Sequence, residues 1–200
     1  KKESNGNERN NWLNLSGLLS LVEEVSQYGQ ILTALRRTRG GHQAVVLDNA
    51  VSAFVAALYR GLGLPLLLIT SGTEGARRLV EQLQIWCSPG SAIHLLPEPD
   101  VLPYERLSSD PATAWERLRI LAALTKNEAP LMVASPLAVA ARTVNREDFV
   151  GAVQTLRPGV KLTPDRMLLR WQILGYEPEE TVEVPGTFSR RGGILDIYPA

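Results

Sequence analysis

The chain has little of several features that carry function in small proteins, beginning with cysteine and net charge. Its 200 residues include one cysteine, Cys87, and two histidines, His42 and His94. One cysteine forms no internal disulfide, and neither histidine has a cysteine or carboxylate at metal-ligand spacing. The 21 basic residues balance 21 acidic ones, so the basic excess that usually drives nucleic-acid binding is missing. We therefore expect no metal site and no strong binding to DNA. A local basic patch on the surface is kept as an alternative.

Long apolar runs and targeting signals are missing as well. No apolar run reaches the ~20 residues that a membrane-spanning helix needs. The polar start of the chain, KKESNGNERNN, is not followed by the apolar core of a signal peptide. Residues 1–12 have the composition of a disordered leader. Together with the single cysteine, these absences predict a cytoplasmic protein without a membrane partner.

What is present is an alternation of short apolar runs with helical stripes. Val51, Phe54, Val55 and Leu58 recur at helical spacing, and similar stripes follow later in the chain. Continuous apolar runs of this length are typical of strands buried on both faces. The alternation predicts an α/β domain, a parallel sheet with helices on both faces. Its expected strands are Ala44–Asp48, Leu64–Thr70, Ala92–Leu96 and Leu131–Ser135.

The pattern divides the chain into four segments. After the leader, residues 13–29 form an N-terminal helix, and residues 30–145 form the α/β domain. Residues 146–200 read as a small α+β domain, which we expect to be incomplete within this chain. In it, Thr163 and Pro164 are typical of a helix start and Gly175 of a helix end.

The turn after the first expected strand lacks the residues that hold a nucleotide. A phosphate-binding turn needs glycines for close backbone approach and a lysine for the β- and γ-phosphates. The corresponding stretch, Val46–Phe54, contains neither, and Asp48 would repel a triphosphate. No nucleophile elbow is present either. We therefore expect no cofactor and no catalysis in this chain; an unusual nucleotide pocket is the alternative.

Four segments carry a resemblance to a known family. PLLLIT, LPEPDVLPYERLSSDPATAWERLRILAAL, PLMVASPLAVAAR and LGYEPEETVEVPGTFSRRGGILDIYPA resemble, in order and spacing, the N-terminal region of bacterial transcription-repair coupling factors (Mfd). The resemblance covers about residues 13–200. It implies a degenerate helicase-like (RecA-like) domain followed by a small domain similar to domain 2 of the excision repair protein UvrB.

The resemblance also implies a function and partners. It implies a non-catalytic module that recruits UvrA to stalled RNA polymerase in transcription-coupled nucleotide excision repair. ATP, magnesium, RNA polymerase and double-stranded DNA would be bound by parts of the longer protein outside this chain. The alternative is a UvrB-type helicase subunit that verifies DNA damage with ATP. Against it stand the altered turn and the loop Pro97–Pro111, which has a single tyrosine where UvrB has a tyrosine-rich hairpin.

The closing motif supplies the candidate UvrA-binding residues. Relatives typically read F-R-V-R-G there, so Arg191 matches the second arginine, Ser189 replaces the first and Arg190 replaces an apolar residue. Strand alternation separates Arg190 from Arg191, and the following glycine pair permits a turn or a bulge. Pro178 stands where relatives commonly have an arginine; solvated surface charge is the alternative reading of the arginine pair. The full candidate set is Tyr176, Phe188, Ser189, Arg190, Arg191 and Gly192.

Overall fold

The computed structural model describes residues 14–37, 40–99, 111–125 and 130–199. The expected leader, residues 1–12, and most of the loop Pro97–Pro111 lie outside the described residues. The described chain forms two compact units. The first unit consists of the described residues up to 96 together with residues 130–139. The second unit consists of the described residues from 97 to 125 and from 140 to 199. No helix in the described ranges is long and apolar enough to cross a membrane.

The elements follow one another in an order close to the expected one. The helices are α1 (Leu19–Glu23), α2 (Ser26–Arg37), α3 (Val51–Leu62), α4 (Thr73–Trp86), α5 (Pro111–Thr125), α6 (Pro136–Ala140), α7 (Arg146–Ala152) and α8 (Pro164–Ile173), with short 3₁₀ turns at Ser16–Leu18 and Asp48–Ala50. The strands are β1 (Leu66–Ile69), β2 (Ile93–Leu96), β3 (Leu131–Ala134), β4 (Glu177–Pro178), β5 (Thr187–Arg191) and β6 (Ile194–Tyr198).

The first unit is built on a parallel sheet in the order β1-β3-β2. Leu131 and Val133 of the central strand β3 are fully buried in the core formed with α3 and α4. Ala57 of α3 and Leu83 of α4 are equally inaccessible. Half-buried residues of the two outer strands pack against the same core: Leu66, Leu68, Ile93 and Leu95. This confirms the predicted fold class, a mixed α/β chain whose three-stranded parallel sheet is flanked by helices and followed by a small mixed sheet.

The expected first strand, Ala44–Asp48, is wrong. Residues 41–47 pair with no strand among the described residues, and a 3₁₀ turn begins at Asp48. Val45 is 97% exposed and Leu47 81% exposed. The apolar run at residues 44–48 has the composition of a buried strand, but Val45 and Leu47 are exposed because no described element packs over them.

The N-terminal helices belong to the core of the first unit. Leu19 is 1% exposed, and the Tyr28 hydroxyl donates to the carbonyl of Ala57 at 2.9 Å. Asn14 Nδ2 donates to the Cys87 carbonyl at 2.9 Å and so helps to close the end of α4. The single helix expected over residues 13–29 is instead broken between α1 and α2.

The second unit combines α5 with the chain from residue 140 onward. The sequence pattern predicts that α5 belongs to the α/β domain, whereas its contacts group it with the small sheet. Trp115 of α5 packs so closely on Gly186 that a Cβ there would overlap its ring, and its ring centroid lies 6.2 Å from that of Tyr176. The sheet has the order β4-β5-β6, parallel and then antiparallel.

Candidate docking site on the small sheet

The arginine pair lies at the end of a regular hairpin. Strands β5 and β6 pair without interruption from Thr187–Tyr198 to Arg191–Ile194. Two residues therefore make the turn, and Gly192 has a φ of 62°, a conformation that glycine adopts at little cost. Of the two alternatives that the sequence left open, the structure shows the turn.

The regular register assigns every side chain of the hairpin to one of two faces. Phe188, Leu195 and Ile197 point toward α8 and pack on its buried residues. The Phe188 ring lies 5.7 Å from that of Trp171, and both side chains are about 95% buried. We call this the helix face. The opposite, outer face carries Thr187, Ser189, Arg191, Ile194, Asp196 and Tyr198.

Arg190 belongs to the helix face and is held there by α8. Its Nη1 lies 2.7 Å from Oδ1 of Asp165, in the first turn of that helix. Its Nε also donates to the carbonyl of Gly192 at 3.4 Å. The guanidinium thus joins the hairpin end to the helix at the rim of the core.

Arg191 belongs to the outer face and is the more exposed of the two arginines. Its side chain is 70% exposed, against 45% for Arg190. Its Nη2 lies 2.6 Å from Oδ2 of Asp196, which sits diagonally across on β6. This cross-strand pair orients the guanidinium but leaves its other nitrogens to solvent.

The remaining candidate residues support this arrangement from inside. Phe188 is 4% and Ser189 5% exposed, so their side chains are not available to a partner in this structure. Ser189 Oγ instead donates to the Glu180 carbonyl at 3.3 Å and fixes the chain before β5. Tyr176 packs against the core under the helix face, and Gly192 is exposed in the turn. Of the six candidate residues, Arg190, Arg191 and Gly192 are thus exposed and Phe188 and Ser189 are buried. The contact with UvrA itself stays a prediction.

Pro178, at the position of the expected family arginine, lies on the short edge strand β4. It pairs in register with Phe188 of β5 and is exposed. Pro178 stands between Glu177 and Glu179, and all three residues are exposed. Proline and charge are common protections of an open edge.

Sequence reasoning missed the two carboxylates that hold the arginines. The sequence did carry a signal for Asp196. Two five-residue strand patterns flank the Gly-Gly pair, which predicts a two-residue hairpin turn. In that hairpin, Asp196 lies diagonally opposite Arg191. No comparable signal points to Asp165, which follows from how α8 packs on the sheet.

The stretch Val46–Phe54, at the position of a phosphate-binding turn, passes into a helix, and no strand precedes it among the described residues. Asp48 begins a 3₁₀ turn that leads directly into α3, and it is exposed. Cys87 is 4% exposed, and burial raises the pKa of its thiol to about 11. A thiol with that pKa stays protonated near neutral pH and is a poor nucleophile and metal ligand.

Comparison with known proteins connects the hairpin to a family. Residues 155–200 match the family model described as the UvrB interaction domain. The chain is 31% identical over 186 residues to the transcription-repair-coupling factor of Bacillus subtilis, a match that covers 92% of this chain. The chain belongs to the UvrB-homology region of the transcription-repair-coupling factors.

Two further relatives agree with this assignment. The transcription-repair-coupling factor of Staphylococcus haemolyticus is 29% identical over 80% of the chain, and that of Staphylococcus aureus is 28% identical over 76%. The chain spans 16%, 14% and 13% of the length of these three relatives. In the chain itself, the whole hairpin lies inside the region matched by the UvrB interaction domain.

Proposed function

We propose that the second unit docks a UvrA protein and that Arg191 is its central contact, as part of transcription-coupled nucleotide excision repair in the cytoplasm. The observation that carries this proposal is the exposed Arg191 guanidinium on the outer face, within the region that matches the UvrB interaction domain. Arginine is enriched among the residues that dominate binding energy at protein interfaces.

The geometry of Arg191 indicates what the partner surface must supply. A guanidinium has five N–H donors in a planar fork and pairs best with carboxylates. Asp196 contacts one nitrogen of this fork. A carboxylate of the partner can pair with the remaining donors or replace Asp196, because an exposed ion pair contributes only about 0–1 kcal/mol.

The proposal assigns no catalytic step to this chain. The turn Val46–Phe54 has no glycine and no lysine, and its Asp48 is exposed at the start of α3. ATP and magnesium, RNA polymerase and double-stranded DNA would be handled by parts of the longer protein beyond this region. Titration with a fluorescent ATP analogue tests this part: submicromolar binding by the chain would contradict it and favour the UvrB-type alternative.

The docking role is tested by calorimetric titration of purified bacterial UvrA into the wild-type chain and its Arg191→Ala variant. Loss of an arginine at the centre of an interface weakens binding by about 2 kcal/mol or more, roughly thirtyfold. Arg166→Ala is the matched control, since Arg166 is an exposed arginine of α8 on the other side of the sheet. No binding by the wild type, or equal binding by the Arg191→Ala variant, overturns the proposal.

A further inference from the structure

The outer face of the small sheet has an open half around Arg191. Ile194 is 64% exposed and Tyr198 44% exposed, although both lie within a regular strand. Asp196 stands between them on the same face and pairs with Arg191. Two large apolar side chains and an arginine thus form one continuous exposed patch, which we call the β6 patch (Arg191, Ile194, Asp196 and Tyr198).

The other half of the same face is closed. Thr187 and Ser189 are 8% and 5% exposed, and their hydroxyls donate to the carbonyls of Val184 and Glu180. The loop between β4 and β5 therefore satisfies and covers this half. A partner that approaches the outer face therefore meets the side chains of β6 and of Arg191, the last residue of β5. The remaining outer-face residues of β5 are covered.

The β6 patch combines an aromatic and an aliphatic side chain with an arginine. Aromatic residues and arginine are enriched at the centres of protein interfaces, whereas most charged residues are depleted there. Strand β6 is also an edge strand of this sheet, and an exposed apolar edge strand is a liability that proteins usually blunt with charge or proline. The opposite edge of the same sheet, with Glu177 and Pro178 on β4, is blunted in this way.

We propose that the β6 patch is the UvrA-facing surface and that Ile194 and Tyr198 are its apolar anchors on either side of Asp196 and its partner Arg191. This inference rests on the docking function proposed above and names residues that the sequence motif did not mark. UvrA is the occupant because the patch contains Arg191, the proposed docking residue, and lies entirely within residues 155–200, the region matched by the UvrB interaction domain. The partner surface must therefore combine an apolar depression for Ile194 and Tyr198 with a carboxylate facing Arg191.

The test compares UvrA binding by three proteins: the wild-type chain, the double variant Ile194→Thr/Tyr198→Thr and the control Ile173→Thr. Threonine suits a strand, so the double variant should keep its fold, which circular dichroism and thermal melting verify. Ile173, at the end of α8, is 76% exposed and outside the patch. We expect the double variant to bind UvrA about thirtyfold more weakly and the control to bind within about twofold of the wild type.

The outcomes separate this inference from the docking function itself. If the Arg191→Ala variant loses affinity while the folded double variant binds like the wild type, docking stands and the β6 patch is refuted. If the wild type does not bind UvrA, both proposals fall. Size-exclusion chromatography with light scattering supplies the third arm: a wild-type dimer that the double variant abolishes, with UvrA affinity unchanged, would assign the patch to a second copy of the chain and overturn the proposal.

Discussion

The same two strands, β5 and β6, form both faces of the hairpin, but the side chains on the two faces differ in exposure. On the helix face, Phe188 is 4% exposed and packs against Trp171. On the outer face, Ile194, of the same hairpin, is 64% exposed. Neighbouring residues of a strand point to opposite faces, so the packing of a single helix on one side is enough to create this contrast. The difference separates the residues that hold the unit together from those that stay exposed to solvent.

The arginine pair shows the same division at the level of two adjacent side chains. Arg190 reaches across the core rim to Asp165 of α8, whereas Arg191 extends over the outer face beside Asp196. The alternation of the strand thus places two residues of identical chemistry on opposite faces, with different ion-pair partners and different exposure. Three predictions test how sharp this contrast is.

The largest effect is expected from truncation on the helix face. Phe188→Ala should lower the free energy of unfolding of the second unit by about 3–5 kcal/mol, because it removes a buried ring and leaves a cavity against Trp171. Ile194→Ala, on the outer face, should cost less than about 1 kcal/mol. Urea unfolding followed by tryptophan fluorescence measures both. Equal losses for the two variants would remove the distinction between the faces.

An intermediate effect is expected at the closed end of β5. Gly186 and Gly192 flank this strand with φ of 82° and 62°, but only the Cβ of an alanine at Gly186 would overlap the ring of Trp115. Gly192→Ala should cost about 1 kcal/mol for its backbone conformation. Gly186→Ala should cost about 1–3 kcal/mol more, because the overlap forces Trp115 to shift. Thermal unfolding of the two variants gives the difference, and a difference near zero would show that Trp115 yields freely.

The smallest effect is expected from the arginine of the helix face. Arg190→Ala breaks an exposed ion pair with Asp165 and should lower the unfolding free energy by about 1 kcal/mol or less. Its affinity for UvrA should stay within about twofold of the wild type, since its side chain points away from the outer face. Parallel denaturation and calorimetry check both quantities. An affinity loss as large as that of Arg191→Ala would place the interface across the hairpin end instead of on one face.

Much of the local structure could be predicted from short stretches of sequence. The end of α8 just before Gly175, which has a φ of 87°, follows from the ability of glycine to adopt this conformation. Strands β1, β2 and β3 fall inside the predicted apolar runs because strongly apolar four-residue segments have few other stable places. At Gly192 and Gly193 the sequence predicts either a turn or a bulge, and the structure has the turn.

The failures have a common physical cause. Val45 and Leu47 have the composition of a buried strand, but whether a strand forms depends on a neighbour that can pair with it. Helix α5 continues the helical pattern of the preceding domain, but its contacts, among them that of Trp115 with Gly186, group it with the second unit. Both outcomes depend on contacts with residues that are distant in sequence. The spacing of apolar residues within a short segment carries no information about such contacts.

The sequence by itself determined the alternation of strands and helices, the family resemblance and the place of Arg191 in its motif, because these depend on residue types and their spacing. Tertiary structure decided which arginine is held and which is exposed, buried Phe188 and Ser189, and left Ile194 and Tyr198 open beside Arg191. The reason is that burial and ion pairing are properties of two elements in contact. One strand carries both arginines, and only the helix and the strand that pack against it assign them different roles.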